Sequence, residues 1–113
     1  MTYTGNVGNK TMSVNIGTNG TRFRFDFNAY NMPDRFSVFL RNGTRIFTRL
    51  AGTPGNPSSK HCFCSSCKGV TLPNGYVVLD RPIGESTVRV EVYGYCSGTG
   101  WKVTVGCAKS LVN

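Results

Sequence analysis

The sequence predicts an all-β domain, an antiparallel sandwich or barrel of about eight short strands. Three observations predict it. Apolar and polar residues alternate with period two in run after run. Turn residues punctuate the chain between the runs. Gly supplies 14 of 113 residues, Asn, Thr and Ser are abundant, and Ala, Glu and Gln are scarce. That composition suits strands and turns over helices.

In chain order, Met12, Val14 and Ile16 share one face of the first run. Phe23, Phe25 and Phe27 share one face of the second, with Arg22, Arg24 and Asp26 on the other. Phe36, Val38 and Leu40 alternate with Ser37, Phe39 and Arg41. Val88, Val90 and Val92 alternate with Arg89, Glu91 and Tyr93. Trp101, Val103, Val105 and Cys107 alternate with Lys102, Thr104 and Gly106. Turns are expected at Gly17 to Gly20, Asn31 to Asp34, Asn42-Gly43, Pro73-Asn74-Gly75 and Ser97 to Gly100. The length suits one domain over residues 1–113, with a long cysteine-bearing loop at 51–69.

Two hairpins can be given a register. At Asn42-Gly43, a two-residue loop sets Val38 opposite Phe47 and Leu40 opposite Arg45, bringing arginine to the core face. A three-residue loop with a glycine bulge sets Leu40 opposite Ile46, Val38 opposite Thr48 and Phe36 opposite Leu50. The second keeps the face apolar and is preferred. At Gly98-Thr99, a two-residue loop sets Cys96 opposite Trp101, Val92 opposite Val105 and Val90 opposite Cys107. That register holds Cys96 and Cys107 roughly 20 Å apart at strand rise. A disulfide needs Cα atoms within about 7 Å, so these two are not expected to bond each other.

Five cysteines is an odd number, and three lie in His61-Cys62-Phe63-Cys64-Ser65-Ser66-Cys67. Disulfides among Cys62, Cys64, Cys67, Cys96 and Cys107 leave at least one thiol free or bonded to another molecule. Zinc at His61, Cys62, Cys64 and Cys67 is the alternative. The N-terminal residues show no secretion signal, and no stretch reaches the length of a transmembrane helix. Oxidised cysteines without an export signal suit a protein made in the cytosol and released by lysis.

The net charge is +8, from 13 Lys and Arg against 5 Asp and Glu. It suits an acidic protein surface or an acidic glycan as partner, or serves only solubility. Arg22, Arg24, Arg41, Arg89 and Lys102 fall at outward positions and make a basic surface. Nucleic-acid binding is disfavoured, because the phenylalanines that could stack on bases belong to the core face; Tyr93 and Tyr95 are better placed. Asp26, Asn28, Asn31 and Asp34 offer oxygen ligands suited to calcium; on spacing alone an ordinary turn, with Asp and Asn bonding the local backbone, is the preferred explanation. The chain has one histidine, His61, and no catalytic set, so a non-enzymatic protein without a resident cofactor is expected.

The stretch Tyr30-Asn31-Met32-Pro33-Asp34-Arg35-Phe36, running into Ser37-Val38-Phe39 and then Asn42-Gly43, resembles a β-sandwich domain appended to bacterial extracellular proteins. Such domains often close with Gly-Thr-x-Trp and an alternating valine strand ending in Cys. Here that reads Gly98-Thr99-Gly100-Trp101-Lys102-Val103-Thr104-Val105-Gly106-Cys107. The resemblance runs roughly from Phe23 to Cys107. It implies a jelly-roll β-sandwich and a calcium or carbohydrate module, with Asp34 and an oxygen near Asp26 or Asn28 on the ion. The expected function is a particle-surface protein, a tailed-phage capsid decoration protein at the virion surface or otherwise extracellular. Its partners are then other virion or surface proteins, including copies of itself, with no membrane. The alternatives are a carbohydrate-binding module of a phage fibre or bacterial surface protein, and a zinc-containing nucleic-acid binder.

Overall fold

A computed structural model describes residues 2–6, 8–17, 22–30, 33–52, 58–59, 62–63, 72–81, 84–95 and 100–109, with backbone alone for 58–59, 62–63 and 107–109. The chain is an all-β sandwich, and the described residues contain no helix. The strands are β1 (Thr2–Gly5), β2 (Gly8–Asn15), β3 (Arg22–Asn28), β4 (Asp34–Phe39) and β5 (Arg45–Ala51). They continue as β6 (Ser58–Ser59), β7 (Cys62–Phe63), β8 (Asn74–Asp80), β9 (Thr87–Gly94) and β10 (Trp101–Lys109). Two four-stranded antiparallel sheets have the orders β1-β10-β3-β8 and β2-β9-β4-β5, and β6 and β7 form a separate two-stranded ribbon. Part of the expected loop at 51–69 is therefore this ribbon, with Ser59 opposite Cys62.

The pairing is nested. β1 pairs with β10, β2 with β9, β3 with β8 and β4 with β5. These are the rungs of one long antiparallel ribbon folded back on itself. Rolling that ribbon adds the lateral pairs β10–β3 and β4–β9, which complete each sheet.

The alternating runs supply the core as their pattern requires. Met12, Val14, Ile16, Phe23, Phe25, Phe27, Phe36, Val38, Val88, Val90, Val92, Trp101, Val103 and Val105 are all buried. Aromatic contacts join the sheets across the middle. Phe25 meets Phe47 edge-on at 5.7 Å, and Phe27 lies 5.3 Å from Phe36. Phe25, Phe27 and Phe36, the buried rings of this group, each contribute about 1.5–3 kcal/mol through burial. Offset aromatic geometry adds to that.

Two expected registers are corrected. β9 and β10 do not form a hairpin: they lie in different sheets. Their alternation shows which residues face the core but not which strand lies alongside, and two strands facing one core from opposite sides show the same pattern. The preferred register at Asn42-Gly43 is also wrong. Leu40 N–H donates to Thr44 O at 2.8 Å, closing a three-residue loop in which Gly43 has a left-handed φ of 96°. A bulge follows, so Val38 faces Phe47 and Phe36 faces Arg49. An arginine at a core-facing position is tolerated because β5 is an edge strand and the Arg49 guanidinium lies 5.9 Å from the Phe47 ring centre.

Two strands of the four-stranded sheets escape the sequence pattern. β1 is short, and β8 begins at Asn74-Gly75, where a turn is expected. Asn74 instead pairs with Asn28 and Gly75 with Phe27. The bend comes one residue earlier, where Pro73 O accepts the Ala29 N–H at 2.8 Å.

Gly5 lies opposite Trp101, and a side chain there would collide with the indole. The indole N–H donates to Asn6 O at 3.2 Å, so the β1–β2 corner wraps the ring. Gly5→Ala is expected to destabilise the fold by about 1–3 kcal/mol, read by denaturant unfolding. Gly100→Ala, where a Cβ meets nothing within 4 Å, is expected to change it by less than about 0.5 kcal/mol.

Candidate functional site

Each sheet turns its second set of alternate residues outward, giving two faces of different chemistry. On the β1-β10-β3-β8 sheet, one outward row runs Thr4, Lys102, Asn28, Asn74. The next runs Thr2, Thr104, Asp26, Tyr76, and Arg24 and Val78 follow. Arg24 and Asp26 are two residues apart on one strand and so share the face. The Arg24 guanidinium grips the Asp26 carboxylate, Nε donating at 3.1 and 3.0 Å and Nη2 at 2.9 Å. That hydrogen bonding raises the Arg24 pKa above its already high ordinary value. The same guanidinium lies 4.0 Å from the Tyr76 ring centre, so the arginine is held between a carboxylate and an aromatic face.

Around this pair lies an open concavity of about 460 Å³, lined by Arg24, Asp26, Asn28, Asn74, Tyr76 and Lys102, among others. Its far end is fixed locally. Asn28 Oδ1 accepts the Tyr30 N–H at 2.8 Å, and Tyr30 takes a left-handed φ of 56°. That conformation is uncommon for a tyrosine. The bond occupies the Asn28 oxygen and leaves its amide hydrogens directed elsewhere.

The β2-β9-β4-β5 sheet carries a more basic face. One outward row runs Asn9, Tyr93, Arg35, Leu50, and another Ser13, Arg89, Phe39, Arg45. Between them lie Glu91, Ser37 and Thr48, the two hydroxyls 3.0 Å apart. Arg89 lies 4.5 Å from the Phe39 ring centre and Arg35 5.5 Å from that of Tyr95. Tyr93 and Tyr95 pack edge to face at 4.6 Å. A hollow of about 180 Å³ separates Arg35 from Arg45.

The acids decide where the positive charge remains. Among the described residues, four carboxylates each have an arginine: Asp26 with Arg24 at 2.9 Å, Asp80 with Arg22 at 3.4 Å, Glu85 with Arg41 at 3.8 Å and Glu91 with Arg89 at 3.5 Å. The fifth acid, Asp34, is fully buried at the start of β4. Among the described residues, no ion pair reaches Arg35, Arg45 or Lys102.

The expected basic surface is thereby divided. Arg22, Arg24 and Lys102 lie outward on one sheet, Arg89 outward on the other, and Arg41 in the β4–β5 turn. Arg35 and Arg45 were not among the expected basic residues, although alternation places both outward. Tyr76 was missed with its strand. Of the residues expected to offer oxygens to calcium, Asp26 is gripped by Arg24 on an outer face, whereas Asp34 is buried at the start of a strand in the other sheet. Among the described residues no group of His, Cys, Asp or Glu is placed to hold a metal ion. His61, Cys64, Cys67, Cys96 and Asn31 lie outside the described residues, as do the side chains of Cys62 and Cys107. The expectations of disulfides and of zinc fall there too.

Comparison with protein families, characterised proteins and solved structures finds no match to this chain.

The separation of Asp26 from Asp34 makes a clear expectation. Millimolar calcium should leave the thermal midpoint of the purified chain unchanged. A calcium-dependent rise abolished by Asp26→Asn would show instead that this carboxylate holds the ion.

Proposed function

We propose that this chain is a non-enzymatic jelly-roll module that docks on the outside of a particle, as a decoration or cement protein of a tailed-phage capsid. The observation that carries this reading is the uncompensated pair Arg35 and Arg45 on the outer face of the β2-β9-β4-β5 sheet. An exposed guanidinium without a carboxylate is a ready partner for acidic side chains on another protein, and its planar fork suits bidentate pairing. The nested strand pairing supports a jelly roll, a fold that shields most strand edges and leaves two broad faces for contact. The odd cysteine count supports a bond between subunits, available once particles leave the reducing cytosol.

A protein shell fits this face better than nucleic acid does. Phe39 lies against Arg89, and Tyr93 and Tyr95 lie against each other. Of these rings only Tyr93 is exposed, where a strand of bases needs a row of open ones. Glu91, paired with Arg89, gives this face charges of both signs, which suits a mixed protein surface.

Co-sedimentation with purified particles tests the reading. Reversing Arg35 and Arg45 together to Glu is expected to weaken docking more than tenfold, and raising the salt should weaken the native chain in the same direction. Arg22→Glu, on the other sheet, should change it little. Equal docking by the double variant would overturn the role of this face. A chain absent from particles, and monomeric with and without reductant, would overturn the decoration reading itself.

A further inference from the structure

The concavity on the opposite sheet is not used by that docking, and its chemistry differs. We infer that it is a saccharide-binding site, taking a short glycan whose ring lies against Tyr76 and whose vicinal hydroxyls meet Asp26, Asn28, Asn74 and Lys102. Four observations carry this.

The first is the aromatic. Tyr76 is 61% exposed on a strand whose neighbouring positions Val77 and Leu79 pack inward. One side of its ring carries the Arg24 guanidinium at 4.0 Å. Arginine withholds that side from other ligands and fixes the ring's tilt, leaving the solvent side as a platform. The axial C–H groups of a pyranose form an apolar patch of similar size, which an electron-rich ring attracts.

The second is the polar set. Hydroxyls on adjacent sugar carbons act as paired donors and acceptors, and planar amides and carboxylates match them two at a time. Asp26 lies directly across the strands from Tyr76, and Asn28 directly across from Asn74. The platform and three planar polar groups therefore occupy two adjacent outward rows. Lys102, beside Asn28 on β10, adds ammonium donors.

The third is charge. Asp26 neutralises Arg24, so among the described residues Lys102 is the one uncompensated charge in the lining, and a small ligand here meets mostly directed hydrogen bonds. That distinguishes this site from the Arg35 and Arg45 face. The fourth is size and rigidity. The concavity of about 460 Å³ spans three strands, about 10 Å across at ordinary strand spacing, room for one to two sugar rings. Its groups stand on paired strands, so little ordering is needed on binding.

The experiment is an amide chemical-shift titration of the whole chain with trisaccharides of glucose, mannose and N-acetylglucosamine, with and without chelator. One of the three is expected to shift the amides of Asp26, Asn28, Tyr76 and Lys102, equally in chelator. Tyr76→Ala should weaken that binding roughly tenfold or more. Asp26→Asn should weaken it too, by loosening Arg24 from the ring and altering the hydroxyl contact. Because Tyr76 and Asp26 face outward, both variants should keep the native amide spectrum elsewhere. Reversal of Arg35 and Arg45 should leave sugar binding unchanged, so this result stands or falls apart from the docking test. No binding by any of the three sugars, shifts confined to other residues, or undiminished affinity in Tyr76→Ala would each overturn the inference.

Discussion

The contact on which the rest of this molecule depends is the aromatic junction between its sheets. Phe25 and Phe27 reach across from β3, and Phe36 and Phe47 meet them from β4 and β5. Side chains alternate along a strand, so seating these rings fixes which residues of each strand face out. A slip of one residue would bury Arg24 and Asp26 and expose the phenylalanines. Both outer faces are thus consequences of the core. Arg24, Asp26 and Asn28 face out because Phe23, Phe25 and Phe27 face in, and Arg35, Ser37 and Phe39 face out because Phe36 and Val38 face in.

The sandwich also has open margins, and cations guard two of them. β2 and β5 are the edge strands of one sheet, and each carries a basic residue at a core-facing position. Lys10 lies opposite the buried Val92, and Arg49 opposite the buried Phe36. Neither loses its hydration outright. The Lys10 ammonium donates to Thr4 O at 3.0 Å and lies 5.7 Å from the Trp101 ring centre, and Arg49 lies over Phe47. An inward charge at an edge makes continuation of the sheet by another chain costly. This leaves the faces, rather than the margins, as the surfaces for controlled contact.

How much of this was legible in the sequence follows from the range of each interaction. Period two is local, so five runs disclosed their core residues directly. Strand partnership is not local. Val90 and Val105 alternate in phase whether they pair side by side or face each other across the core, and the expected β9–β10 hairpin chose the wrong arrangement. The β4–β5 register failed for a related reason. The rule against arginine on a core face holds for a central strand and relaxes at an edge, and nothing local marked Arg45 to Ala51 as an edge. The concavity has the same character. Arg24 and Lys102 were expected to face out, but Tyr76 comes beside Arg24 only through the β3–β8 pairing, 52 residues of chain apart.

The five acids show why composition alone could not separate the two faces. A net charge of +8 reads as one basic surface. In the fold, four acids each sit beside an arginine, and such exposed pairs contribute only about 0–1 kcal/mol to stability. Their larger effect is on the character of the arginine. Arg24, gripped by Asp26, becomes an oriented planar wall beside Tyr76, whereas Arg35 lies over the Tyr95 ring at 5.5 Å with no carboxylate on it among the described residues and keeps its charge uncompensated. Two arginines of identical chemistry thus give one face shaped for directed hydrogen bonds and another suited to long-range attraction. The difference arises from whether a carboxylate stands two residues along the same strand, as Asp26 does for Arg24 and Ser37 does not for Arg35.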